Sequence, residues 1–149
     1  MLSIKRLSRD EAFIMIAAAE KKANAIGVPQ VIAVADESGN LIAFSRMDGG
    51  KSSSIQIAIA KAFTSGAARN PTMFYNEQCV PGSPSFGIHV SNEGKFSIIG
   101  GGVPVYLGRD CVGGIGVSSG TPAQDVEVGE AGVKALEVHW RRQKARAKK

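Results

Sequence analysis

The sequence has few of the residues on which common metal and disulfide sites depend. Its 149 residues include two cysteines, Cys79 and Cys111, and two histidines, His89 and His139. Two cysteines without CxxC spacing are too few for a disulfide framework, so we expect free thiols in a reducing compartment. The two histidines are far apart in the chain, and no sequence spacing predicts a classical histidine metal site.

The sequence also lacks a long apolar run. No stretch of about 18 apolar residues is present, which excludes a membrane-spanning helix. Lys5 and Arg6 provide early basic residues, but Asp10 and Glu11 follow where a secretory signal would have its apolar segment. We therefore predict a cytoplasmic protein without a membrane partner.

A familiar phosphate-binding loop is absent as well. Gly100-Gly101-Gly102 has neither the Lys-Ser/Thr ending of a phosphate loop nor GxGxxG spacing, and it precedes a predicted strand. Ser83 and Ser85 lie in no GxSxG context, and we regard a serine hydrolase as disfavoured. The three glycines favour either close approach of a ligand or a bulge that curves the sheet, and the sequence leaves both open.

Composition and charge indicate one globular domain over residues 1–149. Hydrophobic residues make up 44% and charged residues 21% of the chain. The net charge of +5 belongs to a basic C-terminal tail, because six of the nine residues in 141–149 are basic and the remainder has 12 bases against 13 acids. A body without excess positive charge disfavours nucleic-acid binding.

Local signals predict an α/β fold of the α+β type. Capping boxes at Ser8–Glu11 and Thr121–Gln124 mark the starts of the first and last helices. Two further helices are predicted near 52–68 and 71–78, and the irregular segment 80–94 is predicted to be a loop or lid, with a short strand at 87–90 as an option. Short turns between β-prone segments indicate an antiparallel sheet of about five strands flanked by helices, at 28–36, 41–47, 96–99, 103–107 and 111–117.

Four ordered motifs resemble the GlcG/HbpS-like family. They are Val34–Asn40 with Arg46–Gly49, then Lys61–Thr64, then Gly100–Val105, and finally Gly113–Ser118 with Gln124-Asp125. The loop around Pro81–Ser83 resembles members labelled PduO-like, which are found beside diol-dehydratase genes. The resemblance implies a profilin-like sandwich that assembles into homo-oligomers. It also implies a small-molecule ligand, which is haem or a related tetrapyrrole in some members.

The candidate ligand site combines sequence spacing with this resemblance. Arg46 and Asp48 end a predicted strand, and Lys61 and Thr64 share one face of the next helix, so the four would converge if the helix folds over the hairpin end. Two cations and a hydroxyl suit a carboxylate such as a haem propionate. The alternative is a surface ion pair between Arg46 and Asp48 beside a solvated lysine.

The resemblance places the Gly-rich strand beside the family's pocket, so Gly101, Gly102 and Pro104 are expected to shape its wall. His89 is the expected haem-iron ligand and the one candidate metal ligand. Other residues whose side chains can ligate haem iron are Cys79, Met73, Tyr75 and Tyr106. Asp125 is expected to offset the dipole of the last helix.

Two other functions remain open from the sequence. One is a hydratase or isomerase that acts on a small organic acid. The other is an accessory partner of a diol-dehydratase or corrinoid system. Whether the protein is an enzyme is not decided by its residues.

Overall fold

The structure is a computed structural model that describes residues 1–148. The chain forms helices and strands in the order α1 (Arg9–Ile26), β1 (Val31–Asp36), β2 (Leu41–Arg46), α2 (Ser54–Ala68), α3 (Thr72–Gln78), β3 (Gly102–Leu107), β4 (Asp110–Ser118) and α4 (Pro122–Arg146). Two short 3₁₀ turns, Ile88–Val90 and Asn92–Gly94, interrupt the long connection between α3 and β3. The predicted α+β class is confirmed.

The strands form one antiparallel sheet in the order β2-β1-β4-β3. β1 lies inside the sheet and is buried along its whole length. The prediction of about five strands is therefore one strand too many within residues 1–148. The optional strand at 87–90 is a 3₁₀ turn instead.

The segment Phe96–Ile99 is β-prone but does not join the sheet. The Ser97 amide donates a hydrogen bond of 2.8 Å to Thr64 Oγ1 on α2, and the Phe96 ring packs edge-on against Tyr75 with centroids 4.7 Å apart. Partners on helices α2 and α3 thus take the place of a neighbouring strand. The β-propensity of a segment does not show whether it pairs with a strand or bonds to helices.

Helices α1 and α4 cover one face of the sheet around a core of large aliphatic side chains, including Met15, Ile115 and Leu136. Both predicted capping boxes are present. Glu11 of the first box also accepts a 2.6 Å hydrogen bond from Trp140 Nε1, which joins the start of α1 to the end of α4.

The basic tail is largely a continuation of α4. This helix runs to Arg146, so most of the segment 141–149 is helical, while Lys149 lies outside the described residues. Within residues 1–148, no helix combines the length and the apolar character that crossing a bilayer requires.

Helix α2 packs on the other face, and glycines permit its close approach to β4. The small residues Ala58, Ala62 and Gly66 recur at four-residue spacing along α2. A Cβ placed on Gly116 would collide with the Ala58 carbonyl and the Ala62 amide, and one on Gly114 would collide with Ser65. Helix and strand backbones therefore touch where any side chain would separate them.

We expect Gly116→Ala to destabilise the protein by about 1–3 kcal/mol, because the added methyl must displace α2 backbone. Gly108→Ala is the matched control, since Gly108 has φ +67° but open space around its Cβ position, and should cost about 1 kcal/mol. Urea unfolding of both variants measures the difference. Equal losses would show that close packing of α2 on β4 is unimportant.

Candidate functional site

A buried ion pair joins α2 to the start of α4. Lys61 Nζ donates to Asp125 Oδ2 at 2.9 Å and to the Val117 carbonyl at 2.8 Å. Asp125 Oδ1 accepts a 2.9 Å hydrogen bond from the Gly120 amide. The Lys61 and Asp125 side chains are 1% and 3% exposed. The first turn of α4, helix α2 and the end of β4 are thereby held at one point.

The environment of Lys61 opposes its charge. Burial lowers the pKa of the Lys61 ammonium, and the hydrogen bond and charge of Asp125 offset part of that effect. The Asp125 carboxylate therefore favours the charged form of Lys61, which burial disfavours. Asp125 was expected to offset a helix dipole, but its direct partner is Lys61.

The Gly-rich segment covers this ion pair. Gly101 has φ +124°, and a Cβ there would lie 2.8 Å from Lys61 Nζ and 2.8 Å from Asp125 Cβ. The Gly101 carbonyl accepts from the Val117 amide at 2.9 Å, and the Gly102 amide donates to Thr72 Oγ1 at 2.9 Å. These glycines are needed mainly for packing against the ion pair and α3.

The four side chains expected to converge do not do so. Lys61 faces Asp125, and Thr64 is fully buried, with its Oγ1 donating to the Ala60 carbonyl at 2.8 Å. Arg46 and Asp48 are exposed at the far end of the edge strand β2, and neither forms an ion pair within residues 1–148. Helix α2 packs chiefly on β4 and β1 and much less on β2. The alternative surface pair of Arg46 and Asp48 is absent as well.

His89 lies in the 3₁₀ turn after α3 and is exposed. Its Nδ1 is 3.1 Å from the sulfur of Cys79 at the end of α3. No group of three or more histidine, cysteine or acidic side chains within residues 1–148 has the geometry to hold a metal ion. The local structure therefore supplies a Cys–His contact but no multidentate metal site.

An apolar cleft of about 420 Å³ opens where α3, β3 and α4 meet. It includes Gly102 of the expected wall, whereas Pro104 lines neither this cleft nor the neighbouring one described next. Glu130 is its one charged residue. We call this surface the apolar cleft, and its lining is Pro71, Met73, Gly102, Val103, Ala123, Val126 and Glu130.

A second cleft of about 240 Å³ lies on the other side of Gly100, whose Cβ position is 3.4 Å from both Pro122 and Val126. We call it the polar cleft, and its lining is Lys51, Ser53, Ser54, Ile57, Lys61, Ile99, Ser118, Ser119, Gly120, Pro122 and Asp125. The Lys61–Asp125 pair forms part of this lining.

Sequence reasoning missed most of the polar cleft. Lys51, Ser53 and Ser54 were not among the predicted site residues. The backbone of Ser119, at the edge of this cleft, has φ 114°, a conformation that L-residues rarely adopt. The Ser119 hydroxyl accepts from the Lys51 amide at 3.0 Å and so ties the loop before α2 to the end of β4.

We expect Asp125→Asn to lower the free energy of unfolding by about 3–5 kcal/mol at neutral pH, because it leaves the Lys61 charge buried without a counter-charge. A lysine with a lowered pKa binds fewer protons folded than unfolded, so stability rises with pH up to the ordinary value of 10.5. Removal of the Asp125 carboxylate lowers the pKa of Lys61 further, so the variant gains more stability with rising pH than the wild type and the loss shrinks. Urea titrations between neutral pH and pH 10 measure it, and Lys22→Gln at an exposed pair is the control.

The double variant Lys61→Met with Asp125→Leu removes both charges together. It should recover much of the stability lost in Asp125→Asn. A double variant as unstable as the single one would contradict this account of the pair.

Comparisons with known proteins agree with this fold. An uncharacterised 15.0 kDa protein from the dhaT-dhaS intergenic region of Citrobacter freundii is 37% identical over 125 residues, which are 79% of this chain and 88% of that protein. The corrinoid adenosyltransferase PduO of the same species is 30% identical over 132 residues, 89% of this chain but 39% of the transferase.

Solved structures with the same fold are known. The Klebsiella pneumoniae protein ORFY matches with a TM-score of 0.90 and 31% identity, over 92% of this chain and 94% of that one. The PduOC–haem complex matches with a TM-score of 0.83 and 27% identity, over 87% of this chain and 94% of that one. A family model described as "Haem degrading protein HbpS-like" covers residues 7–134. The chain therefore belongs to the HbpS-like family, as its sequence motifs predicted.

Proposed function

We propose that this protein binds haem or a related tetrapyrrole in the apolar cleft. The observation that carries the proposal is a cleft of about 420 Å³ with mostly apolar lining, in a fold that matches the PduOC–haem complex. Ligand pockets of this kind are predominantly apolar with few polar groups. A flat, largely apolar macrocycle suits such a surface.

The chemistry of the cleft sets the orientation of the ring. Val103 and Val126 provide apolar walls on β3 and α4, and Met73, which is 38% exposed, projects from α3. Glu130 would repel haem propionates, so the proposal orients them away from it toward solvent. Lys61 is not available as a free cation there, because Asp125 already compensates its charge.

Two residues compete as the iron ligand. Met73 lines the cleft, and a methionine thioether is an established axial ligand. His89 is the stronger ligand by chemistry, but it does not line the cleft and its Nδ1 contacts Cys79. We favour Met73 on position and keep His89 as the alternative that mutation distinguishes.

A second candidate function is partnership with a corrinoid system. The similarity to 39% of a corrinoid adenosyltransferase favours it. A corrin is a related macrocycle, so the same cleft serves both candidates. Cobalamin is therefore the informative competitor in any haem experiment. The organic-acid alternative loses its predicted site, because Arg46 and Lys61 do not face one another.

Titration of the apo-protein with haem should give a saturable Soret shift. Val126→Glu should weaken haem binding by about tenfold or more, because it places a buried charge on the apolar wall. Ala145→Glu adds the same charge at an exposed position of α4 and should leave affinity unchanged. If Val126→Glu binds haem as tightly as the wild type, the apolar cleft is not the site.

The same spectra identify the iron ligand. Met73→Ala should change the Soret position while His89→Ala does not, and the reverse result would assign His89. Cobalamin that displaces haem would favour the corrinoid candidate. Bleaching of the Soret band with ascorbate would extend the function from haem binding to haem breakdown.

We also infer that the chain self-associates. Exposed apolar side chains concentrate on α3 and in the segment between α3 and β3, namely Met73, Phe74, Val80, Phe86, Val90 and Ile99. Surfaces of this kind commonly mark protein interfaces. Sedimentation equilibrium should show a dimer or larger assembly, and Phe86→Ser with Val90→Ser should shift it toward monomer. A monomeric wild type at high concentration would contradict the inference.

A further inference from the structure

Two serine hydroxyls in the polar cleft lack partners. Ser54 at the start of α2 and Ser118 at the end of β4 are 3% and 5% exposed, and both line the cleft. Neither hydroxyl forms a hydrogen bond within residues 1–148. Both residues line the cleft, and their hydroxyls are therefore available to donate to an occupant.

A buried amide next to the cleft is also unsatisfied. Gln30 is fully buried, and neither polar atom of its side chain has a partner within the described range. A Cβ on Gly120 would lie 2.8 Å from Gln30 Nε2 and 3.0 Å from Asp125 Oδ1. The turn at Gly120 therefore brings this amide close to the floor of the polar cleft.

The electrostatics of the polar cleft favour a negative occupant. Helices α2 and α4 both start at its edge, and each N-terminus contributes a partial positive charge of about half a unit. The Ser52 and Ser53 amides before α2 donate to no acceptor within residues 1–148. Lys51 adds a full positive charge, while the charges of Lys61 and Asp125 compensate each other.

We propose that the polar cleft binds a small oxyanion with the chemistry of inorganic phosphate or a short carboxylate. The Ser54 and Ser118 hydroxyls donate to its oxygens, Lys51 provides the counter-charge, and the N-terminus of α2 provides backbone donors. Lys61 uses two of its three N–H bonds within the protein, which leaves one for the anion. The volume of about 240 Å³ is below the usual range for drug-sized ligands.

This site is separate from the proposed haem site. The two clefts share no lining residue, and Gly100 lies between them. The oxyanion site therefore stands if the protein fails to bind haem, and it is tested on the apo-protein. It shares Lys61 with the site that the sequence predicted but differs from it in the other donors, which are Ser54, Ser118 and Lys51 instead of Arg46.

Calorimetric titration with inorganic phosphate and, separately, with malonate tests the site at constant ionic strength set by NaCl. At least one anion should bind with saturable heat. Ser54→Ala with Ser118→Ala should weaken binding by about tenfold or more, as expected when hydrogen bonds to a charged group are lost. Lys51→Gln should also weaken it, whereas Lys134→Gln, the same charge change at an exposed position of α4, should not.

The serine variants are well suited to this test because the two hydroxyls form no hydrogen bond within residues 1–148. Their unfolding midpoint without anion should equal or exceed that of the wild type, so reduced binding cannot result from misfolding. Saturation by phosphate alone or by malonate alone would assign the occupant class. Absence of saturable binding by both anions, or unchanged affinity in the double serine variant, would overturn the proposal and leave water as the occupant.

Discussion

The arrangement of the molecule depends on one buried ion pair, between Lys61 of α2 and Asp125 of α4. A charged pair without water is costly unless its hydrogen bonds are complete. Here Val117 and Gly120 provide the additional partners at 2.8 Å and 2.9 Å. Because these four residues come from helix, strand end and turn, the pair fixes where α4 begins relative to α2 and β4.

The glycines follow from that constraint. Gly101 must lie directly on the pair, and Gly114 and Gly116 must let α2 reach β4 closely enough for Lys61 to span the gap. The clefts on the two sides of Gly100 are consequences of the same packing, because a side chain in this region would fill the space between α3, α4 and the sheet. The apolar cleft on one side is lined mostly by apolar side chains, and the polar cleft on the other side is lined in part by serines.

Local signals in the sequence were sufficient for much of the fold. The capping boxes at Ser8 and Thr121 located two helix starts, and the family motifs predicted the architecture. The predictions were wrong where a contact between segments distant in the sequence determines the local structure. Thr64 bonds Ser97 and prevents a fifth strand, and Lys61 pairs with Asp125, 64 residues away, instead of joining Arg46. Periodicity gives the face of a helix but not the neighbour that this face meets.

The central claim is that a tetrapyrrole occupies the apolar cleft while the ion pair beside it stays intact. A crystal structure of the haem-loaded protein tests this most directly. We expect a ring between Val103 and Val126, with Lys61 still bound to Asp125. Haem seated against His89 in the segment between α3 and β3, or a ring that displaces Lys61 from Asp125, would contradict it.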